Sequence, residues 1–324
     1  MKVHKLKVGI VGATGEVGRT MLKVLQEREH DFSDIRLFAS KKSAGKTLKF
    51  NNRELIVEEL TENSMKAGFD FLLFSAGKNV SKKFAPIAAE NGATVIDNSS
   101  AFRMEKHIPL VVPEINSHVL KGYRGIIANP NCSTIQLVLA LNPLHIKFKL
   151  KRVIVTTMQA VSGSGHKGVA ELQSQISNDE SSAFIYPKKI AYNCIPHIGD
   201  ILDNGFSEEE MKMINETRKI MECGCDVEAT TVRVPVLYGH SESVYAEFEE
   251  KLNLKEVEET LKEASSVKIW KDYPTPLDVK DSDYSHVGRI RLSHDGNGIL
   301  FWNVADNVRV GAATNAVKIL ELFL

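Results

Sequence analysis

The stretch Gly125-Ile126-Ile127-Ala128-Asn129-Pro130-Asn131-Cys132-Ser133-Thr134-Ile135-Gln136 sets a thiol where an extended segment turns into a helix. Ile126 to Ala128 form an apolar run that reads as a buried strand end, and Asn129, Pro130 and Asn131 stop and turn the chain. Cys132 then falls in the first turn of a helix striped by Ile135, Leu137, Val138 and Leu141, with Asn131 as its N-cap. Unsatisfied N–H groups and the positive end of the helix dipole favour the thiolate there, the form that acts as a nucleophile. A cysteine also fills core space, so local physics leaves both a nucleophile and a small buried hydrophobe open.

Other groups could work with such a thiol. Gln159 ends a strand-like run and precedes the small-residue loop Ala160-Val161-Ser162-Gly163-Ser164-Gly165-His166. Glu216 and Lys219 are three apart in a helical pattern, which makes them a functional pair or a surface ion pair. His240 lies in Arg233-Val234-Pro235-Val236-Leu237-Tyr238-Gly239-His240-Ser241-Glu242, as an exposed polar residue or as the base a catalytic cysteine needs. Arg103, beyond the strand Thr94–Asp97, either clamps a phosphate or rests on the surface. No metal is expected. Cys223-Gly224-Cys225 lacks the C-x-x-C spacing and a second pair, and reads as structural; the 10 histidines form no H-E-x-x-H cluster.

The elements that must position these groups alternate in the first half of the chain. Lys5–Val11 reads as a strand closed by Gly12-Ala13-Thr14-Gly15-Glu16-Val17-Gly18, after which Val17, Met21, Val24 and Leu25 repeat at helical spacing. A G-x-x-G-x-x-G turn between strand and helix lets backbone N–H groups approach a pyrophosphate, so Gly12, Thr14, Gly15, Glu16 and Val17 are candidate nucleotide contacts. The second strand, Ile35–Ala39, ends in Ser40-Lys41-Lys42-Ser43 and not in the acid that holds a ribose 2′-hydroxyl. Hydroxyls of Ser40 and Ser43 with Lys42 suit a 2′-phosphate, and thus NADP. Strands at Phe69–Phe74, Thr94–Asp97 and Ile126–Ala128 with a helix at Ser81–Asn91 complete a doubly wound parallel sheet of Rossmann type.

Beyond Cys132 the pattern changes to α+β with a mixed sheet. Strands are expected at Lys151–Gln159, Glu228–Val236, Ser243–Glu249, Val287–Leu292 and Gly298–Val304, and helices at Lys167–Ser177, Glu208–Met221 and Lys255–Ala264. The expected division is a nucleotide-binding domain at 1–130, a catalytic and dimerisation domain at 131–307, and a last helix, Val310 to Phe323 within 308–324, packing back on the first domain. Lysine plus arginine and aspartate plus glutamate both total 41, which leaves no net field for nucleic acid or an anionic membrane. No run reaches membrane-spanning length and the N-terminus carries no signal-peptide pattern; with 4 cysteines and no disulfide framework, a cytoplasmic protein is expected.

Taken in order, four segments resemble the bacterial type of the aspartate-semialdehyde dehydrogenase family: Val11–Gly18, Asn129–Thr134, Gln159–Gly165, and Arg233–Val236 leading to Gly239–Glu242. The resemblance spans essentially the whole chain. It implies NADPH-dependent reductive dephosphorylation of L-aspartyl-4-phosphate through a thioester on Cys132, serving synthesis of lysine and diaminopimelate, methionine, threonine and isoleucine. It further implies His240 as acid/base and Gln159 as the group that orients substrate. Arg103, Asn131 and Lys219 would hold phosphate, and Glu216 and Arg233 the amino and carboxylate ends. Ser162 and Gly163 would face the nicotinamide, with Asn307 completing the cofactor site. The partners implied are small molecules, with a homodimer or a tetramer as the assembly. One departure is Val310, where the family pattern leads one to expect lysine. The competing readings are N-acetyl-γ-glutamyl-phosphate reductase, a non-catalytic NADP-binding protein, and a cysteine hydrolase, which would leave the glycine-rich turn unexplained.

Overall fold

Residues 6–30, 32, 34–177 and 184–324 are described by a computed structural model of the chain. It divides into two units, one running to Pro130 and joined by Ala312–Leu324, the other comprising Asn131–Gly311.

In the first unit the chain runs β1 (Lys7–Val11), α1 (Glu16–Glu27), β2 (Asp34–Ala39), β3 (Thr47–Phe50), β4 (Arg53–Glu59), α2 (Glu62–Met65), β5 (Phe71–Phe74), α3 (Lys78–Glu90), β6 (Thr94–Asp97), α4 (Pro113–Asn116) and β7 (Ile126–Ala128). Seven strands form one sheet in the order β3-β4-β2-β1-β5-β6-β7, parallel except for β3 at the edge. The central strands are mostly apolar because both faces are covered: every residue of β5 and β6 is buried, the polar Thr94 and Asp97 of β6 included. The order reverses at β1, so the crevice between the carboxyl ends of β1 and β5 is the topological switch point where such sheets bind ligands. The antiparallel β3–β4 hairpin has no counterpart among the expected elements. It turns at Asn51, which takes a left-handed φ of 52°. The expected strand start at Lys5 lies outside the described residues.

The second unit contains α5 (Cys132–Phe148), β8 (Leu150–Gln159), α6 (His166–Ser177), α7 (Glu208–Met221), β9 (Asp226–Arg233), β10 (His240–Phe248), α8 (Leu254–Glu263), β11 (Val267–Ile269), β12 (Ser285–Leu292) and β13 (Gly298–Ala305). Its sheet has the order β11-β12-β13-β10-β8-β9, with β8 parallel to β9 and antiparallel to β10. That pairing brings the carboxyl ends of β8 and β9 and the amino end of β10 to one side of the sheet, where Gln159 is paired with Arg233 and Ser241 with Met158. The third strand starts three residues earlier than Ser243, and β9 stops at Arg233, two residues short of Pro235, which has no N–H for a ladder. α5 is buried around most of its circumference, so it is a core helix whose N-terminus is held rigidly.

The last segment differs from the single helix expected over Val310 to Phe323. Arg309–Thr314 is wound as a π-helix, and α9 (Asn315–Glu321) follows. Within the first unit, Ala313, Ala316, Val317, Ile319 and Leu320 share one core with Val8 and Ile10 of β1 and Met21, Leu22 and Leu25 of α1.

Candidate active site

Asn131 caps α5: its Oδ1 accepts the N–H groups of Ser133 at 3.0 Å and Thr134 at 3.2 Å. The cap places Cys132 at the first helical residue, partly accessible and in no disulfide. The space beside it is kept by Gly311, where an added Cβ would sit 2.7 Å from Cys132 Cβ. A thiol so placed meets the dipole and N–H field that favour the thiolate.

Around it the second unit gathers Gln159, Glu216, Arg233 and His240, all buried. The surface alternatives for the Glu216 pair and for His240 are therefore overturned. Glu216 Oε2 accepts the backbone N–H of Asn131 at 2.6 Å. Lys219 lies less than a turn beyond Glu216 on α7 and is half-buried. Gln159 Nε2 donates to Ser133 Oγ and, at 3.1 Å, to Glu209 Oε1, while its Oε1 has no partner among the described residues. Arg233 Nη1 donates to Ala160 O at 2.6 Å and its buried Nε is unpartnered among the described residues. These are donors and acceptors that a ligand must satisfy.

His240 is fixed by the loop after β8. Ala160 N–H donates to its Nδ1 at 3.0 Å, and a ring nitrogen that accepts carries no proton. The hydrogen-bond network thus assigns the neutral ring its proton on Nε2, which is buried with no partner among the described residues. Burial, reinforced by the Arg233 charge and opposed by Glu209, drives the imidazole pKa down to about 3. His240 is therefore a neutral Nε2–H donor at ordinary pH, which suits stabilising an oxyanion and does not suit taking a proton at Nε2. Gly163 passes directly over this ring: an added Cβ would lie 2.8 Å from Arg233 Nη1 and 3.3 Å from His240 Nε2. Ser162 Oγ and Gly239 N–H both donate to Asn307 Oδ1, at 3.1 and 2.9 Å, tying the loop to the start of β10.

The first unit carries a different kind of site. Gly12 has φ +85°, and an added Cβ would meet Ser75 O at 2.7 Å, so the turns after β1 and β5 abut at the switch point. Gly18 lies so close that its added Cβ would be 2.2 Å from Gly12 O. α1 starts at Glu16 with Gly15 as N-cap and no side-chain cap, and Thr14 and Val17 flank it partly exposed. A glycine cradle at an uncapped helix start fits a pyrophosphate. Ser40 and Lys42 stand exposed and Ser43 half-buried just past β2, beside Lys41. Arg103 is buried rather than on the surface: Nε donates to Asn129 O at 2.9 Å and Nη2 to Asn98 O at 2.9 Å.

Two buried acids add to the residues expected from the sequence. Glu209, in the first turn of α7, reads there as helix-dipole compensation; yet Glu209, Met213, Glu216 and Ile220 trace one buried stripe, and carboxylates on such a stripe are a legible signal. Glu242, two residues past His240 on β10, accepts from Asn303 Nδ2 at 2.9 Å, and burial raises its pKa to about 8. No group of three metal-binding side chains occurs among the described residues. Cys223 and Cys225 are joined to each other in a disulfide across Gly224.

Residues 7–123 match the family model described as semialdehyde dehydrogenase, NAD binding domain, and residues 141–310 match semialdehyde dehydrogenase, dimerisation domain. The chain is 47% identical over 332 residues to an aspartate-semialdehyde dehydrogenase of Aquifex aeolicus, covering 98% of each chain. Aspartate semialdehyde dehydrogenase II of Vibrio cholerae has the same fold at TM-score 0.95 and 44% identity, over 99% of this chain and 98% of that one. An aspartate semialdehyde dehydrogenase of Candida albicans, solved with NADP, aligns at TM-score 0.79 and 25% identity over 98% of both chains.

Proposed function

The chain belongs to the aspartate-semialdehyde dehydrogenase family, and from that premise we propose how its own residues carry the reaction. The enzyme reduces L-aspartyl-4-phosphate with NADPH to L-aspartate 4-semialdehyde and phosphate, a step of amino-acid biosynthesis. The observation that carries the residue assignment is the convergence of the Cys132 helix N-terminus with unpartnered ligand-facing groups on Gln159, Arg233 and His240.

Cys132 sulfur attacks the acyl carbon, a C–S bond forms, the C–O bond to phosphorus breaks, and phosphate leaves. NADPH, when bound, supplies the hydride that reduces the thioester carbon. Cys132 is then expelled as thiolate when the C–S bond breaks and the aldehyde C=O forms. The His240 Nε2–H donates to the oxygen that gathers charge at each tetrahedral stage, an oxyanion role that its low pKa supports. Arg233 receives the substrate carboxylate as a planar donor fork. Gln159 presents its unpartnered Oε1, an acceptor suited to the amino end. Glu216 adds negative charge for that amino end; its hold on the Asn131 N–H makes it also part of the frame. Arg103, Asn131 and Lys219 are assigned to phosphate. Gly12, Thr14, Gly15, Glu16 and Val17 would hold the pyrophosphate of NADP, Ser40, Lys42 and Ser43 its 2′-phosphate, and Ser162, Gly163 and Asn307 its nicotinamide end.

The division at Pro130 and Gly311 supports a cofactor unit and a catalytic unit. A homodimer built through the second unit is the proposed assembly, in line with the dimerisation domain that it matches. A cytoplasmic location is consistent with the absence, among the described residues, of any helix long and apolar enough to cross a membrane.

The test follows absorbance at 340 nm with aspartate semialdehyde and NADP, with and without phosphate. NADPH formation that requires phosphate is the expected result, because phosphate must resolve the thioester in this direction. Turnover independent of phosphate would mean water resolves it, and the assignment would fall. Turnover with N-acetylglutamate semialdehyde alone would move the substrate to the other acyl-phosphate reductase.

A further inference from the structure

Cys223 and Cys225 flank Gly224 where α7 hands over to β9, and the proposed reaction uses neither. Their Cα atoms are 5.3 Å apart, inside the span that a disulfide bridges, so the backbone suits the closed pair without moving. A disulfide stabilises a fold mainly by restricting the unfolded chain, and the effect shrinks with the loop that it closes. A sequence separation of 2 leaves almost nothing to restrict, so the pair is a poor staple, in contrast to the structural reading of its spacing. We propose that Cys223–Cys225 is a reversible dithiol–disulfide site for small thiols, entered at Cys223, whose state is passed to the last turn of α7. The inference goes beyond the dehydrogenase reaction and does not depend on it.

The two cysteines are unequal. Cys223 is half-buried and Cys225 is 3% exposed, while Gly224 between them is exposed, with no atom within 4 Å of where a Cβ would stand. A small thiolate from solvent therefore reaches the Cys223 sulfur first. Its bond to that sulfur forms as the bond between the two cysteines breaks, and Cys225 leaves as thiolate and takes a proton from water. A second small thiol attacks the outer sulfur of the mixed disulfide and frees Cys223. In sum, one protein disulfide and two small thiols give one protein dithiol and one small disulfide, with two electrons passing to the protein. Closure runs these steps in reverse, with a small disulfide as oxidant. In the cytoplasm, the location proposed above, disulfides that do form are of this transient kind.

The link to α7 is physical. Glu222 closes the helix in the left-handed region at φ 50°, and Cys225 O accepts Arg218 Nε, from the helix's last turn, at 3.0 Å. Arg218 Nη2 also lies 3.9 Å from Asp226 Oδ1 at the start of β9. With the disulfide closed, the carbonyl that ties back to Arg218 belongs to a small covalent ring at the helix exit. Opening the ring returns freedom to Gly224 and slackens that tie. Lys219, assigned to phosphate, stands beside Arg218 on the same turn, so the thiol state reaches the helix that serves the site.

The test equilibrates the purified enzyme in mixtures of reduced and oxidised dithiothreitol, quenches with acid, and alkylates the denatured chain with N-ethylmaleimide before peptide mass spectrometry. The peptide holding Cys223 and Cys225 is expected to pass in one step from no alkyl groups to two as the mixture becomes reducing, and to return on reoxidation. A pair that stays closed at every ratio, or open at every ratio, overturns the proposal; this arm needs no variant and so stands whether or not any variant folds. Entry at Cys223 is read with oxidised glutathione as the probe. Cys225→Ser, which keeps Cys223, should form a mixed disulfide at least about tenfold faster than Cys223→Ser, and equal rates would refute the order of attack. Hydrogen exchange reads the link to α7. Amides of its last turn should exchange at least about fivefold faster in the reduced enzyme than in the oxidised one, with the first turn unchanged. Identical exchange in both states overturns the link. So does a redox dependence that persists in the Cys223→Ser, Cys225→Ser double variant, since it would then come from Cys132 or Cys194.

Discussion

At the scale of single residues, the neutral His240 decides what kind of help Cys132 receives. With Nδ1 occupied by the Ala160 N–H, the ring can offer a hydrogen bond from Nε2, while the α5 terminus supplies a field that favours the thiolate. The lowered pKa means protonation only near pH 3, so between pH 5 and 8 the ring stays neutral. Long-range ¹H–¹⁵N spectra of the enzyme should show one histidine as the Nε2–H tautomer, unchanged over that interval. A His240 resonance that titrates near 6.5 would contradict the assignment. Removing the nucleophile is the companion test. Cys132→Ala should cut turnover by more than about a hundredfold, because a covalent route is lost, while NADP affinity measured by fluorescence titration changes less than about twofold.

At the scale of elements, the glycines carry the most specific expectations. Gly18→Ala would drive a Cβ against backbone atoms of Gly12 and Ala13, neither of which can yield as a flexible side chain would. α1 must then move off the β1 turn, and NADP affinity should fall at least about tenfold by direct titration. This turn is legible in the amino-acid sequence because strand, glycine spacing and amphipathic helix agree within one short window. The helix at Glu208–Met221 is equally legible, since Ser207 and Glu210 form a capping box ahead of it. The convergence of Gln159, Arg233 and His240 is not, because 74 residues separate the first two and only the parallel β8–β9 register makes them neighbours. Family resemblance supplies their roles, and the geometry of their orphan atoms supplies a physical reason. The β3–β4 hairpin escapes the sequence for a different cause. Leu48 and Phe50 alternate with Thr47 and Lys49, but the segment is short, charged and at the sheet edge, where a strand needs little apolar signal.

At the scale of the whole molecule, the balanced charge of 41 against 41 gives no global field, so pH sensitivity comes from individual buried groups. Glu242 is the clearest. Its folded pKa of about 8 exceeds the ordinary 4.5, so between those values the folded state holds a proton that the unfolded chain has released. Stability on this account falls as pH rises through that window, by up to about 1.4 kcal/mol per pH unit. Glu242→Gln removes the titration, and its melting temperature relative to the unmodified protein should improve from pH 5 to pH 8. A difference that stays constant across those conditions would show that Glu242 does not keep its proton in the fold.

The return of Ala312–Leu324 to the first unit has a consequence for how the protein is made. The second unit is one uninterrupted stretch, Asn131–Gly311, and can finish folding while synthesis continues. The first unit begins earlier but cannot finish before it, because Ala313, Ala316, Val317, Ile319 and Leu320 belong to its core and leave the ribosome after the second unit. The nascent chain thus carries a completed catalytic unit together with a nucleotide-binding sheet whose apolar face is still open. A stop just after Gly311 would leave that face open for good, and chaperones would meet it as exposed hydrophobic surface although the whole second unit had been made.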